Sequence, residues 1–425
     1  MKEDFIHYLW KFKKLSGIAL KTTEGKEILI KSLGEHNHFS GPDFFNSRVE
    51  IDGQDWAGNI EMHVKASDWY LHGHDDDPAY DNVILHVVWS HDAEITRRDD
   101  INIPVLEVSQ YINPGLVQSY RKLFAVKNGQ FINCQSQFSS IDSFKRDHWL
   151  EKLFFERLEY KSDRIRHMLQ QNNNDWEAAF FQLLARSFGT KTNADAFEQL
   201  ASSMNQHVVR KLAKDAFQLE AALLGQSGLL DEVKNDAYYQ DLVKEFAFAK
   251  AKHQLQPCLT PMLFFKLRPA NYPTVRLSQL AMLYHRNPML FGEVLLAKSR
   301  LEIQKLFDVQ AAKYWNTHHV FDKETEEREK ILTTDFIDLL IINCIIPIKF
   351  IHAKYLGKDK TEELLDLITE IKPEKNSIIT GFKKLFKIEN AMQTQSLLQL
   401  KPNYCDVNKC LSCDIGVALL RDEIN

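Results

Sequence analysis

Hydrophobic spacing along the chain changes period twice. Phe5, Tyr8, Leu9 and Phe12 recur at three- and four-residue intervals, which predicts a short amphipathic helix over residues 5–15. After Gly25 the texture changes: residues 27–33, 45–51, 59–65, 82–89 and 103–108 are short runs rich in β-branched and aromatic residues, as in strands. Turn residues in DGQDWAG, 52–58, separate the second and third runs, so a hairpin is expected there. Alternation along the third run puts Ile60, Met62 and Val64 on one face and Asn59, Glu61, His63 and Lys65 on the other. One face packs a core; the other lines something wet.

From about residue 143 the pattern becomes helical and stays so. Trp149, Leu153, Leu158 and Ile165 stand among many Lys, Arg and Glu over 143–171, the pattern of a long surface helix. NNND at 172–175 suits a helix break and a new N-cap before Trp176. Turn signals at Gly189, at 225–228 and at 268–273 separate the helices that follow. The greasiest segment, FIDLLIINCIIPIKF from Phe336, is interrupted by Asp338, Asn343 and Pro347. It falls short of the about 20 apolar residues a bilayer span needs and predicts a buried helix. The expected fold class is α+β. A mixed-sheet domain over 1–135 precedes a larger all-α region over 136–400, and a cysteine-containing tail occupies 401–425.

Composition narrows this picture. A chain of 425 residues, 44% hydrophobic and 26% charged, reads as a soluble globular protein of two or three domains. Glu3 and Asp4 stand where a signal peptide has a basic end, so a cytoplasmic protein with no membrane partner is expected. The net charge of −5 is unevenly spread. Through residue 120 there are 11 Lys and Arg against 20 Asp and Glu, and beyond it 42 against 38. Such an acidic first domain binds nucleic acid only if cations fill it or the later region supplies a basic surface.

Candidate chemistry is crowded between Gly41 and His91, where His63, His72, His74, His86 and His91 accompany Asp43, Glu61, Asp68 and Asp75, Asp76 and Asp77. Histidine and carboxylate bind metals and move protons near neutral pH. Pro42-Asp43 followed by Glu61-x-His63-x-Lys65 is similar to the signature of PD-(D/E)xK nucleases. The resemblance implies a restriction-endonuclease-like αβββα core. Asp43 and Glu61 would hold a divalent ion, magnesium or manganese, and His63 or Lys65 would handle water. Here His63 stands in the lysine's place and Lys65 comes two residues late, so the general base is left open between them. The plainer account is a polar strand face with solvated charges.

DWYLHGHDDD supplies a second constellation. In an extended segment His72 and His74 project the same way, and with His63 or His86 and a carboxylate they would hold zinc, iron or manganese. This resembles the HxH element of cupin-type metal sites, without their further motifs at matching spacing. The alternative for His86, within NVILHVV, is a hydrogen-bonded core histidine; for the pair it is an exposed turn. Asp68 is expected to cap that turn or orient a histidine.

The cysteines form a third. Cys258 and Cys344 lie in apolar surroundings and read as buried small hydrophobes. Cys405-x4-Cys410-x2-Cys413 has metal-ligand spacing, and Cys134 in FINCQ is the candidate fourth ligand for zinc or a [4Fe-4S] cluster. One cysteine upstream and three downstream resembles the iron–sulfur staple of some helicase- and CRISPR-associated nucleases, although there the lone cysteine precedes the nuclease motifs. In LRPANYPTVR, Arg268, Asn271 and Arg276 could grip phosphate or carboxylate, or tie helix ends together.

GPDFFNSRVEI, GNIEMHVKASDWYLHGH, NVILHVV, LLGQSGLL, KLRPANYPTVRLSQLA and YCDVNKCLSCDIG together resemble, nearly end to end, a bacterial family known only as a domain of unknown function. That resemblance implies no activity. Three functions are therefore expected in turn: a metal-dependent phosphodiesterase or nuclease acting on nucleic acid, a histidine-metal enzyme of another class, or a non-catalytic interaction protein with a structural four-cysteine site.

Overall fold

The computed structural model describes residues 1–15, 19–37, 39–125, 129–256, 258 and 260–422. The chain forms two compact units, one of Met1–Trp149 with Leu400–Asn425 and one of Leu150–Gln399. The fold class is α+β, a mixed sheet followed by a larger helical region.

The first unit opens with α1 (Glu3–Lys11), which buries Phe5, Ile6, Tyr8, Leu9 and Trp10. It stops short of Leu15 because Lys13 takes a left-handed φ of 49°, a conformation no right-handed helix continues. Seven strands make one sheet: β1 (Leu20–Lys21), β2 (Glu27–Ser32), β3 (Glu35–His36), β4 (Phe44–Ile51), β5 (Gln54–Lys65), β6 (Val83–Ser90) and β7 (Val105–Glu107). Their order is β1-β2-β4-β5-β6-β7, with β3 paired to β4. Pairing is antiparallel from β1 to β5 and parallel for β5–β6 and β6–β7.

β4 and β5 meet at Asp52 and Gly53, with φ of 53° and 81°, the type I′ hairpin that Asp-Gly favours. The turn is thus tighter than the 52–58 segment expected, and residues 54–58 already belong to the strand. Parallel strands need a long crossover; between β5 and β6 it contains α2 (Asp68–Leu71) and a 3-10 turn, Pro78–Tyr80. Trp69 and Tyr80 from this crossover pack with Val83, Val88 and Val105 in a small core. β6 buries six residues in succession, Val83 to Val88. A parallel strand covered on both faces reads as a continuous apolar run, and NVILHVV is one. α1 packs against β5 and β6, which brings its polar side to the sheet's acid and histidine residues.

The second unit is mostly helical, but the all-α region expected over 136–400 also carries a two-stranded antiparallel sheet, His318–Val320 with Lys323–Glu324. α3 (Pro114–Phe124) in the first unit is followed by α4 (Ser143–Gln171), the long helix expected at 143–171. Asn173 and Asn174 take positive φ, and Asp175 caps α5 (Trp176–Phe188) by accepting from the Glu177 and Ala178 amides. The greasy segment lies in a helical stretch, Thr334–Tyr355, with 78% of its most apolar window buried. By length and composition it is the one described helix that could cross a membrane. A π turn at Ile341–Ile345 precedes Pro347, which cannot donate to the turn before it.

Candidate metal centre

Two residues apart on β5, Glu61 and His63 face the same way and are 5% and 1% exposed. The other pair arrives from the crossover. α2 ends at His72, Gly73 takes a φ of 72°, the Gly73 amide donates to the Tyr70 carbonyl and the His74 amide to the Trp69 carbonyl, each at 3.1 Å. This is a Schellman helix end, and its left-handed position is the one glycine tolerates. The extended HGH segment expected from the sequence is therefore absent; a helix terminus brings His72 and His74 together instead.

One ligand atom from each of His63, His72 and His74 lies within 4.8 Å of the other two. His63 Nε2 is 3.0 Å from His72 Nδ1. Glu61 Oε1 stands 3.3 Å from His74 Nε2 and 3.6 Å from His63 Nε2. Four heteroatoms, three nitrogens and one oxygen, thus face one small volume. The rings are held by neighbours. His63 Nδ1 is 2.8 Å from His86 Nε2, His74 stacks on Tyr80 at 3.8 Å, and Trp69 sits edge-on to His74 at 5.4 Å.

Asp43, immediately before β4, and Glu61 hold each other through backbone amides. The Met62 N–H donates to Asp43 Oδ2 at 2.9 Å, and the Asp43 N–H donates to Glu61 Oε2 at 3.1 Å. α1 adds His7, whose Nε2 is 3.2 Å from Asp43 Oδ2. Sequence reasoning missed His7 and its neighbour Glu3. Their signal was an i, i+4 pair on a helix whose apolar stripe had been recognised.

Burial drives the electrostatics. It pushes His63 down to about 3, helped by the positive charge that His74, His72 and His7 would carry; His86 falls well below its usual range and His74 is lowered. These imidazoles are neutral with lone pairs to give. Burial and the nearby Asp43 carboxylate raise Glu61, and burial with Asp43 also raises Glu3. Burial pulls on His7 too, but the Asp43 carboxylate outweighs it and leaves His7 raised. Buried carboxyl groups that a nearby carboxylate further discourages from ionising, beside imidazoles that burial keeps neutral, are a donor set suited to a cation. Mixed nitrogen and oxygen ligands suit zinc, iron or manganese; magnesium prefers oxygen alone.

Other expected residues lie elsewhere. Lys65 is exposed at the end of β5 and its amide donates to Asp68 Oδ2 at 2.9 Å, so Asp68 holds the turn into α2 and not the His72–His74 segment. His86 is fully buried and touches His63 rather than the four-atom cluster. His91 Nε2 is 3.6 Å from Glu94, and Asp77 caps the 3-10 turn through the Ala79 amide. Cys134, Cys405, Cys410 and Cys413 gather at a separate place in the first unit. In the second unit Arg276 is buried, donates to Asn271 Oδ1 at 2.6 Å and Gln279 Oε1 at 2.8 Å, and lies 3.4 Å over the Phe336 ring. Arg268 is exposed, so the structure ties Asn271 and Arg276 to each other and leaves Arg268 apart.

A family model described as "Protein of unknown function (DUF2851)" matches residues 3–377. No curated protein and no solved structure matches the chain.

Proposed function

The chain belongs to the DUF2851 family, whose description carries no activity, and from the geometry we propose that it is a metal-dependent phosphodiesterase acting on nucleic acid. The observation that carries this reading is the convergence of His63, His72, His74 and Glu61 Oε1 beside the Asp43–His7 pair. Helix, antiparallel strands, a short helix and parallel strands follow one another as in an αβββα core, with five strands where that core has three, and Asp43 stands immediately before the strand that pairs with the one carrying Glu61. A transition-metal ion held by Glu61, His63, His72 and His74 would supply charge for a phosphoryl oxygen and acidify water.

The protein's own groups do the rest. Asp43, fixed by the Met62 amide, accepts a proton from attacking water. His7, kept protonated by that same carboxylate, gives one to the leaving oxygen. His86 sets which nitrogen of His63 carries hydrogen. In the second unit a cavity of about 840 Å³ has Arg164, His167, Arg186 and Lys191 on its wall together with Asp163, and Glu198 pairs with both arginines, so its charge is mixed.

Purified protein supplied with manganese or zinc should cleave single- or double-stranded nucleic acid, and Asp43→Ala should abolish cleavage. Absence of cleavage with every divalent metal, or an Asp43→Ala variant as active as the parent, ends this reading. A second reading, a histidine-metal enzyme of another class, is favoured by the nitrogen-rich donor set. It predicts a tightly held transition metal, lost on changing His72 and His74 to alanine, in a protein with no phosphodiesterase activity.

A further inference from the structure

Four cysteines from distant parts of the chain line one small cavity in the first unit: Cys134 after α3, and Cys405, Cys410 and Cys413 from the returning C-terminal segment. None is in a disulfide. Cys134, Cys410 and Cys413 are buried and Cys405 is half-buried. Packing of small hydrophobes accounts for one or two buried thiols, as for Cys344 in its helix, but it does not call for four at a single point.

Burial by itself favours the neutral thiols, yet N–H donors already stand around these sulfurs. The amides of Gly416 and Ile415, in the first turn of the helix Asp414–Asp422, are directed at the Cys413 sulfur. Asn133 Nδ2 approaches Cys410 Sγ at 3.7 Å while bonding Asn408 Oδ1 at 2.9 Å. Cys405 ends a π turn, Lys401–Cys405, the rare widening that re-aims a side chain. A Cβ on Gly416 would come within 2.1 Å of the Cys410 carbonyl oxygen, so only glycine lets the helix close on the cysteine loop. N–H donors stabilise thiolates and do little for neutral thiols.

We propose that Cys134, Cys405, Cys410 and Cys413 together bind one thiophilic metal centre, a zinc ion or an iron–sulfur cluster, separate from the histidine centre. Ligand number and type fit both, since each takes four thiolates. Among the described residues, however, the ligand atoms gathered within 4.8 Å are those of His63, His72 and His74, so a single zinc would have to draw the four sulfurs together. Metal binding of this kind is folding energy, and it would clamp residues 405–413 to the segment around Cys134. The 3-10 turn Cys410–Ser412 packs against α1 and the helix Asp414–Asp422 against α3. The clamp therefore backs the helix that carries Glu3 and His7.

Elemental analysis and an absorbance spectrum of anaerobically purified full-length protein test this, alongside Cys134→Ser, Cys410→Ser and a His72→Ala/His74→Ala double variant. The expected parent carries either iron with acid-labile sulfide and a brown chromophore, or about one colourless zinc. That metal is retained in the double histidine variant and lost in both cysteine variants. Should the cysteine variants fail to fold, X-ray absorption at the metal edge of the double histidine variant decides, an all-sulfur shell supporting the proposal. A native protein without that metal, with these thiols open to a thiol reagent and no metal taken up on reconstitution, overturns it. Neither result touches the histidine-centre reading, which depends on nitrogen- and oxygen-bound metal.

Discussion

His63 and His86 bond ring to ring across two parallel strands, Nδ1 to Nε2 at 2.8 Å, with both residues buried. Only one proton can lie between those nitrogens. If His63 Nε2 faces the metal, Nδ1 must carry the hydrogen and donate it to His86 Nε2. His86 then keeps its own proton on Nδ1, a buried atom with no hydrogen-bonding partner among the described residues. The pair therefore fixes a tautomer at the cost of one unsatisfied donor.

Replacing His86 with leucine should remove this restraint while keeping the strand apolar. We expect metal affinity to fall roughly 10- to 100-fold, the usual effect of losing a partner that orients a ligand. Competition with a chromophoric chelator measures it. Unchanged affinity would mean that His86 serves the core alone.

Gly73 separates the two crossover histidines at a φ of 72°, and a Cβ there meets nothing within 4 Å. Gly73→Ala should cost about 1 kcal/mol from backbone strain alone and weaken metal binding by displacing His72 and His74. Gly25, at a φ of 88° and equally open, supplies the control. Gly25→Ala should cost about as much in urea unfolding and leave metal affinity unaltered. Equal effects of the two on metal binding would remove Gly73 from the account.

His7 is assigned a proton-transfer role without being a ligand. His7→Gln should lower kcat by about 10²- to 10⁴-fold and leave bound metal at the parent level. Loss of metal in step with activity would make His7 a ligand or a scaffold instead.

Lys161, in the second unit, tests the electrostatics independently. Among the described residues its Nζ bonds neutral oxygens alone, Gln395 Oε1 at 2.9 Å, Asn343 Oδ1 at 3.1 Å and the Ile342 carbonyl at 3.3 Å. Burial, with the Arg157 charge, pushes it down to about 7, whereas an unfolded lysine titrates near ~10.4. Between those values the unfolded chain holds a proton the folded chain lacks, so this group's contribution to stability grows as pH rises and is lost as pH falls toward 7. Melting curves of the parent and Lys161→Met at pH 7 and pH 9.5 should show the variant's relative advantage at pH 7 shrinking at pH 9.5. A constant gap would contradict the shift.

Much of this arrangement was legible in the sequence, for reasons that differ by residue. Strand alternation placed Glu61 and His63 on one face because β5 is regular from Ile60 to Lys65. Asp175 was readable as a cap because helix ends are local chemistry. The meeting of His72 with His74 was anticipated on mistaken grounds. An HGH segment has no periodicity, and only the hydrogen bonds of its glycine reveal the helix end. His7 was hidden because its partner, Asp43, lies far along the chain, and pairing of that kind leaves no local trace. Arg276 was open to two readings, an anion grip or a tie between helix ends, and its side chain bonds Asn271 and Gln279 and lies over Phe336, a partner no nearby spacing announces.

Because the first unit resumes only at Leu400, its birth on the ribosome is divided in time. The sheet and α1 emerge early, and the cysteine loop and the helix behind it follow only after residues 150–399 have been made. At about 5–20 residues per second that interval is roughly 12–50 s. A protein cut after Trp149 would keep every histidine of the candidate centre but lose the closing segment for good. The smallest faithful version of this unit is a spliced one, 1–149 joined to 400–425, and not an N-terminal fragment.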